Sequence, residues 1–449
     1  MLSTAFEKRI KRQVIGKPHR FLAITPLGFE QTLVRELQGF GLEFANTECS
    51  PHIVGDGKVE FTAKITESWK AVAYSRIANR ILMHIADFKA ENFRDLEKKA
   101  AEIPWELYLS DERTGYALQT RDERSISSNS LRIHVTCKHS RLYHSDAIAE
   151  RLQNVINSHA PCHPGEGREQ QFLSEPQNIF VTLVDDRCTI WLDLAGEELY
   201  KRGHERFVND APLKETIAAA MIFESFHGLT STSYCLLDLM AGSGTFSLEA
   251  AYMANGLIPG KCRDFALKHQ PAFKPATWNH IINSDFRIQN SELKRIVTSD
   301  ISEHAVKIIE HNVECCPLAN IEYKPINPQL RDFFSYTAPE IAELCGESSP
   351  VIVLNPPYGK RLDFDAPKLY TRIGRRLAEL ARALRALGKP LTAAILAPKD
   401  DNRPGSAYTC TANLLRECPG LSPDHNPAAK CIATSHGGFS LNVFIAKIE

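Results

Sequence analysis

Val351-Ile-Val-Leu-Asn-Pro-Pro-Tyr-Gly359 is the stretch on which the reading of this chain turns. Its four apolar residues are strand-favouring and uninterrupted, as in a buried strand of a parallel sheet. Two successive prolines then forbid both ladder and helix continuation, so the chain leaves the sheet at Asn355. One amide side chain is thereby fixed at the carboxyl end of a central strand, where open α/β sheets bind ligands. Asn355 and the Pro356 carbonyl can together accept hydrogen bonds from an exocyclic amino group. Tyr358 offers a face on which a planar base can stack. Alone, the stretch is also readable as a Pro-rich turn after a strand.

A second strand end lies upstream. In Tyr234-Cys-Leu-Leu-Asp-Leu-Met-Ala-Gly-Ser-Gly-Thr-Phe-Ser-Leu-Glu-Ala-Ala251 a buried strand ends at Asp238 and a helix is expected over 245–254. Between them Ala241, Gly242, Gly244 and Thr245 form a loop that lets backbone approach a ligand and presents free helix N–H groups. The spacing is not G-x-G-x-x-G, and no lysine completes a phosphate P-loop. Further on, Arg295-Ile-Val-Thr-Ser-Asp300 reads as a strand ending in a carboxylate, which can accept from both hydroxyls of a ribose. A weaker strand at 321–326 precedes Asp332, which either accepts from an adenine amino group or caps a short helix. Asp210-Ala-Pro-Leu-Lys-Glu-Thr216 opens a helix with Pro212 in its first turn. Residues 256–292 read as an insertion. Residues 368–387 make a strongly amphipathic helix with Ile373, Leu377, Leu380, Leu384 and Leu387 inward. A strand at 391–396 and a hairpin built from 431–434 and 441–446 close the chain.

The first half has a different rhythm. Short strands are expected at 21–24 and 59–61 and helices at 30–37 and 69–84, a small α+β module of ferredoxin-like type over residues 20–90. A second module over 91–200 carries strands at 116–120, 132–138, 179–184 and 188–193, the last two joined at Asp185-Asp186. Its helix spans 145–157, and 160–177 reads as a loop. Residues 1–19, rich in Lys and Arg, read as a basic tail, either disordered or an RNA-touching arm, with disorder expected.

At 449 residues the chain has room for two or three domains, and 43% hydrophobic with 24% charged residues is the balance of a soluble globular protein. A net charge of −1 means that a nucleic-acid partner must be met by local patches. The twelve cysteines contain no C-x-x-C pair or zinc spacing, so they read as reduced thiols and no metal site is expected. No apolar run is long enough for a membrane span, and a cytoplasmic setting is expected.

The Asp238-x-x-x-Gly242-x-Gly244 loop resembles motif I of S-adenosylmethionine-dependent methyltransferases, and Asn355-Pro-Pro-Tyr358 resembles the motif of those that methylate amino groups. Arg141-Leu-Tyr-His-Ser-Asp-Ala-Ile-Ala-Glu-Arg-Leu152 resembles a THUMP domain. Together with Pro-Leu-Lys-Glu-Thr216 these motifs make residues 20–449 similar to the THUMP-containing RNA guanine-N2 methyltransferases, especially those of large-subunit (23S) ribosomal RNA. The resemblance implies an α/β architecture. Its C-terminal class I (Rossmann-like) domain, 205–449, would end in an antiparallel hairpin. It also implies S-adenosylmethionine as cofactor, held by Asp238, Ala241, Gly242, Gly244, Thr245, Asp300 and Asp332. RNA would be the partner, and Asn355, Pro356 and Tyr358 would carry the catalysis. Two positions depart from the family: His204-Glu205 after Arg202-Gly203, and Lys360 after the Asn-Pro-Pro-Tyr-Gly motif.

A purine amino group is a poor nucleophile because its lone pair is delocalised. Accepting its two N–H bonds at Asn355 and Pro356 aims that lone pair without a covalent intermediate. Carbon methylation needs a cysteine nucleophile, and Pro161-Cys162 falls in the other half of the chain. Four alternatives stay open at this level. They are a transfer-RNA guanine-N2 methyltransferase, an adenine-N6 methyltransferase, a glutamine methyltransferase and a non-catalytic RNA-binding assembly factor. The oligomeric state is not legible.

Overall fold

The computed structural model describes residues 4–109, 131–159, 177–204, 206–208, 212–227, 233–284, 293–315, 326–358, 365–401 and 409–448. The expected strand at 116–120, nearly all of the 160–177 loop, Cys162, Glu205, Asp210, residues 321–325 and Gly359-Lys360 lie outside them. Two compact units result. One comprises Met1–Ile24, Leu37–Lys201 and Arg263–Ser284; the other comprises Thr25–Glu36, Arg202–Cys262 and Asp285–Glu449.

The first unit is built on one seven-stranded sheet. Its strands are β1 (Pro18–Ile24), β2 (His52–Gly55), β3 (Lys58–Lys64), β4 (Arg80–Lys89), β5 (Arg132–Lys138), β6 (Asn178–Val184) and β7 (Arg187–Asp193), in the order β2-β3-β1-β4-β7-β6-β5. The two modules expected from sequence thus share a sheet through β4 and β7, from Leu82 opposite Asp193 to Lys89 opposite Arg187. Asp185 and Asp186 both have positive φ, the conformation a two-residue hairpin turn demands.

Two expectations fail here. The helix expected over 69–84 stops early: helix spans Ile65–Tyr74, and Arg80 begins β4. The Ser75 hydroxyl accepts from Ala78 N at 2.9 Å and turns the chain, placing Ile81, Leu82 and Met83 in a strand paired on both sides. A strand covered on both faces needs no alternation, so its apolar run imitates the end of a helix. The basic tail is not disordered either. Thr4–Ile10 is α-helical and Lys11–Ile15 π-helical, because Ile10 and Val14 are buried four residues apart while Arg9 pairs with Glu106 at 2.9 Å.

The inserted segment belongs to the same unit. Arg263 donates to the Glu197, Glu198 and Lys201 carbonyls, and its helix Pro275–Asn283 buries Trp278. Within that helix the Ile281 carbonyl accepts from Tyr74.

The second unit is a doubly wound α/β layer. Strands β8 (Tyr234–Asp238), β9 (Leu293–Asp300), β10 (Pro328–Leu330), β11 (Ser349–Leu354) and β12 (Leu391–Pro398) are parallel. Strands β13 (Lys430–His436) and β14 (Phe439–Ile448) form the expected terminal antiparallel hairpin. The order is β10-β9-β8-β11-β12-β14-β13, with the reversal of winding between β8 and β11. β8, β11 and β12 are buried almost throughout, and the amphipathic helix Ala366–Ala386 lays Ile373, Leu377, Leu380 and Leu384 on the core beside them. Helix Glu215–Phe226 begins later than expected, so Pro212 precedes it instead of opening it. No described helix is long and apolar enough to cross a membrane.

Glu224 in that helix is 4% exposed and gathers the second unit's N-terminal segment. It accepts from Thr32 Oγ1 at 2.6 Å, from Lys430 Nζ at 2.7 Å and from Arg35. Removing the carboxylate strands a buried hydroxyl and two cations at once. Glu224→Ala should therefore cost on the order of 1–3 kcal/mol in urea unfolding. Unchanged stability would deny Glu224 this bracing role.

Candidate active site

Register decides which side chains meet. Across three parallel strands Thr298 lies beside Asp238 and Asp238 beside Val353. Asp300 and Asn355 each stand two residues further along their own strands. They therefore flank the glycine loop at the carboxyl edge of the sheet, with one strand spacing of about 4.8 Å on either side of β8.

The loop itself is tied to β9. Ala241 N donates to the Ser299 carbonyl at 3.1 Å, and Gly242 N donates to Asp300 Oδ2 at 2.8 Å. Asp300 Oδ1 also accepts from Ser302 N at 2.9 Å. Gly242 and Gly244 have φ of 56° and 78°, a region costly for any residue with a side chain. Their surroundings differ. A Cβ on Gly244 would meet the Ile309 side chain at 3.0 Å, whereas one on Gly242 would meet nothing within 4 Å. Gly244 is needed for packing against helix Glu303–Cys315; Gly242 leaves the open side, where a ligand can lie against backbone.

Helix Thr245–Ala254 follows, and Asp238 sits beneath its start. Asp238 Oδ2 accepts from Ser247 N at 3.1 Å and Ser247 Oγ at 2.7 Å, while Oδ1 is buried without a partner. Burial raises the carboxyl from its ordinary value to about 7, against the two Ser247 hydrogen bonds, and nearby Asp300 pushes the same way. Asn355 is half-buried, and its Oδ1 is enclosed and unpartnered. Pro356 is buried behind it. Tyr358 stands at the exit, with its ring 5.7 Å from Phe439 at 74° and its hydroxyl 3.4 Å from His436 Nδ1. Asp332 is used structurally: it caps the single turn Phe333–Ser335, Oδ1 accepting from Phe334 N at 3.0 Å.

Three residues that the sequence reading passed over join the site. Arg206 reaches Thr245 Oγ1 at 2.9 Å and Glu215 at 3.0 Å, and its Nε is buried without a partner. Asn312 holds the Phe207 backbone from both sides, at 2.8 and 2.9 Å, and also donates to the Ser243 carbonyl at 3.4 Å. His436 comes from the terminal hairpin. Arg206 is recognisable in hindsight as the cation next to the departing Glu205; Asn312 and His436 carry no local signal.

Orphaned polar atoms are expensive inside a fold and mark places where a partner is missing. Asp238 Oδ1, Ser299 Oγ, Asn355 Oδ1 and Arg206 Nε all belong to this one edge. The set offers acceptors for amino and hydroxyl groups and a cation for a carboxylate, around a glycine with an open face. It suits a ligand such as S-adenosylmethionine beside an aromatic amine.

Comparison with known proteins agrees. Residues 202–389 match the family model described as RMKL-like, methyltransferase domain, and residues 20–82 match the RlmL ferredoxin-like domain. Over residues 202–389 the chain is similar to RMKL-like methyltransferase domains. A ribosomal RNA large subunit methyltransferase K/L of Allochromatium vinosum is 28% identical over 377 residues, covering 80% of this chain and 46% of that protein. A putative RNA methyltransferase of Synechocystis is 28% identical over 346 residues, covering 76% of this chain and 80% of that one. The chain spans about half the length of the Allochromatium relative. Among solved structures, a putative methyltransferase complexed with SAH matches with a TM-score of 0.70 at 22% identity, over 96% of this chain and 99% of that one. That likeness is one of fold.

Within the second unit the acidity of Asp238 yields a measurable sign. Its folded pKa of about 7 lies above its ordinary 3.8, so between these values the folded state holds a proton that the unfolded chain has lost. Stability from this group is therefore present at low pH and declines as pH rises toward neutrality. Asp238→Asn keeps an acceptor for Ser247 but cannot ionise. It should melt above the wild type near about pH 8, with the gap closing toward about pH 4. Parallel melting curves across that range would mean that Asp238 is not acid-stabilised.

Proposed function

We propose that this chain transfers the methyl group of S-adenosylmethionine to the exocyclic N2 amine of a guanine in large-subunit (23S) ribosomal RNA. The observation that carries the reading is the enclosed, unpartnered Asn355 Oδ1 at the end of β11, next to the glycine loop and one residue before a buried proline. The name of the Allochromatium relative supports RNA of the large subunit, and the neighbour complexed with SAH supports the cofactor. A cytoplasmic setting goes with that reading.

S-adenosylmethionine would supply an electrophilic methyl group on a sulfonium. Asp300 would accept from its ribose hydroxyls, trading the Gly242 N–H for them, and Gly242 would let it lie against the backbone. Asp332, with one oxygen committed to Phe334, has a second oxygen for the adenine amine. Ala241, Thr245 and Arg206 frame the loop. Asn355 Oδ1 and the Pro356 carbonyl would accept the two N–H bonds of the target amine, localising its lone pair toward the methyl group. Tyr358 would stack the extruded base, offsetting part of the few kcal/mol that leaving the helix costs.

The first unit fits an RNA-gripping role of THUMP type. Lys138, His139, Ser140, Arg141 and Tyr143 surround an open recess of about 520 Å³, and Tyr143 is 69% exposed. A basic, aromatic surface of this kind can meet phosphates and bases without a strongly basic chain.

Asp300→Ala should weaken S-adenosylmethionine binding by about 1.5–3 kcal/mol, the worth of a charge-assisted hydrogen-bonded pair. Calorimetry giving wild-type affinity would remove Asp300 from the cofactor site.

Asn355→Ala should bind cofactor normally yet lose most turnover, because acceptor and orientation vanish together. Mass spectrometry of nucleosides from cells lacking the protein should show one N2-methylguanosine missing from large-subunit RNA. If it is missing from transfer RNA instead, the substrate assignment fails while the chemistry stands. Loss of a different methylated base would overturn the guanine assignment.

A further inference from the structure

His436 has no part in the chemistry described so far. It is the last residue of β13, separated from Phe439 only by Gly437 and Gly438, both with positive φ. The two residues are the closing pair of the terminal hairpin. Both touch Tyr358: the Phe439 ring edge-on and His436 through Nδ1. The closing pair of the terminal hairpin therefore meets one tyrosine, at its ring and at its hydroxyl.

We propose that His436 is a positioning residue of the target-base site, holding the Tyr358 ring by its hydroxyl. The proposal rests on the reading of Tyr358 as the platform for the target base.

A neutral imidazole carries one N–H and one lone pair, and the positioning role places the N–H on Nε2. Nδ1, which faces Tyr358, is then left with its lone pair and accepts from the phenol O–H. Burial, and next the ammonium of Lys214, lower the imidazole pKa from its ordinary value, which keeps the ring in the neutral form this arrangement needs. A tyrosine carried after two prolines on the Asn355 loop has no ladder to fix its ring. The tether and the Phe439 contact supply that constraint. A stacked base is useful only if its amine stays within reach of Asn355, and small displacements at that distance cost turnover steeply. The terminal hairpin thereby becomes a wall of the site as well as the edge of the sheet.

The test compares wild type, His436→Ala, His436→Asn, Tyr358→Phe and the His436→Ala/Tyr358→Phe double variant. Methyl transfer to total RNA from cells lacking the protein is measured, with kcat expressed per cofactor site counted by calorimetry. His436→Ala and Tyr358→Phe should each lower kcat about five- to tenfold, the worth of one hydrogen bond. Cofactor affinity and KM for RNA should stay within about twofold. His436→Asn, whose Oδ1 can replace Nδ1 as acceptor, should recover most of the loss. The double variant should be no worse than the poorer single one, because both changes break the same bond.

Wild-type kcat in His436→Ala, multiplying losses in the double variant, or an Asn variant as poor as Ala would each overturn the positioning role while leaving the proposed function intact. A wild-type protein that transfers no methyl group to any RNA would refute the function, and the inference would fall with it.

Discussion

Parallel pairing of β9, β8 and β11 is the constraint on which the rest of the second unit depends. In a parallel ladder all strand ends on one side point the same way, so a residue's distance past the last pair decides how far it projects. Thr298, Asp238 and Val353 stand level; Asp300 and Asn355 project two residues beyond them. A one-residue slip of β11 would turn the Asn355 side chain to the opposite face of the sheet and carry it out of line with the loop. The buried run of β11 and the Pro356-Pro357 stop oppose that slip from either end. Site geometry is thus a consequence of core packing, with the loops adding little freedom of their own.

What the sequence disclosed follows from which interactions are local. Strand ends at Asp238, Asp300 and Leu354 were legible because a buried parallel strand is a short apolar run with an abrupt polar or proline stop. The glycine loop was legible because positive φ selects glycine at Gly242 and Gly244. The terminal hairpin and the helix Ala366–Ala386 announce themselves by spacing. Residues 75–80 did not, because a strand covered on both faces loses its alternation and continues the apolar pattern of the preceding helix. The N-terminal helix was hidden by its charge: Lys8, Arg9, Lys11 and Arg12 outnumber the few apolar residues that dock it, although Ile10 and Val14 suffice. Arg206, Asn312 and His436 were beyond reach for another reason. Their partners lie 39, 105 and 78 residues away in sequence, and no local pattern encodes such pairings.

Electrostatics gives the loop region its character. A fully buried Asp238 with one satisfied oxygen and one orphan holds its proton up to about neutral pH. Asp300 receives two backbone N–H groups, from Gly242 and Ser302. Of the two carboxyls at neighbouring strand ends, the deeper one thereby retains its proton, while the outer one faces backbone donors at the loop. Holding its proton lets Asp238 brace the start of the helix through Ser247 without placing a full negative charge beneath a ligand-binding loop.

The departure at His204-Glu205 is instructive because the surrounding ion pairs survive it. Arg202 is enclosed with Glu249 in a two-point pair at 2.9 and 3.2 Å, fixing the chain to the helix that follows the glycine loop. His204 takes up the next contact on that helix, Nε2 lying 2.9 Å from the Tyr252 hydroxyl. Arg206 then brings a cation to Thr245 and Glu215. A guanidinium with a fixed fork can serve two oxygens and still turn a third N–H toward a ligand, which a flexible ammonium would do less well. Glu215 is the counterweight: burial pushes its carboxyl up, and Arg206 and Arg202 draw it back toward ionisation. Tyr252, Glu249 and Thr245 lie on one short helix at spacings of three and four residues, so a single helical face receives all three contacts. Substitution within the 202–206 segment is tolerable as long as that face is met, which is why a motif can change there while the loop it supports does not.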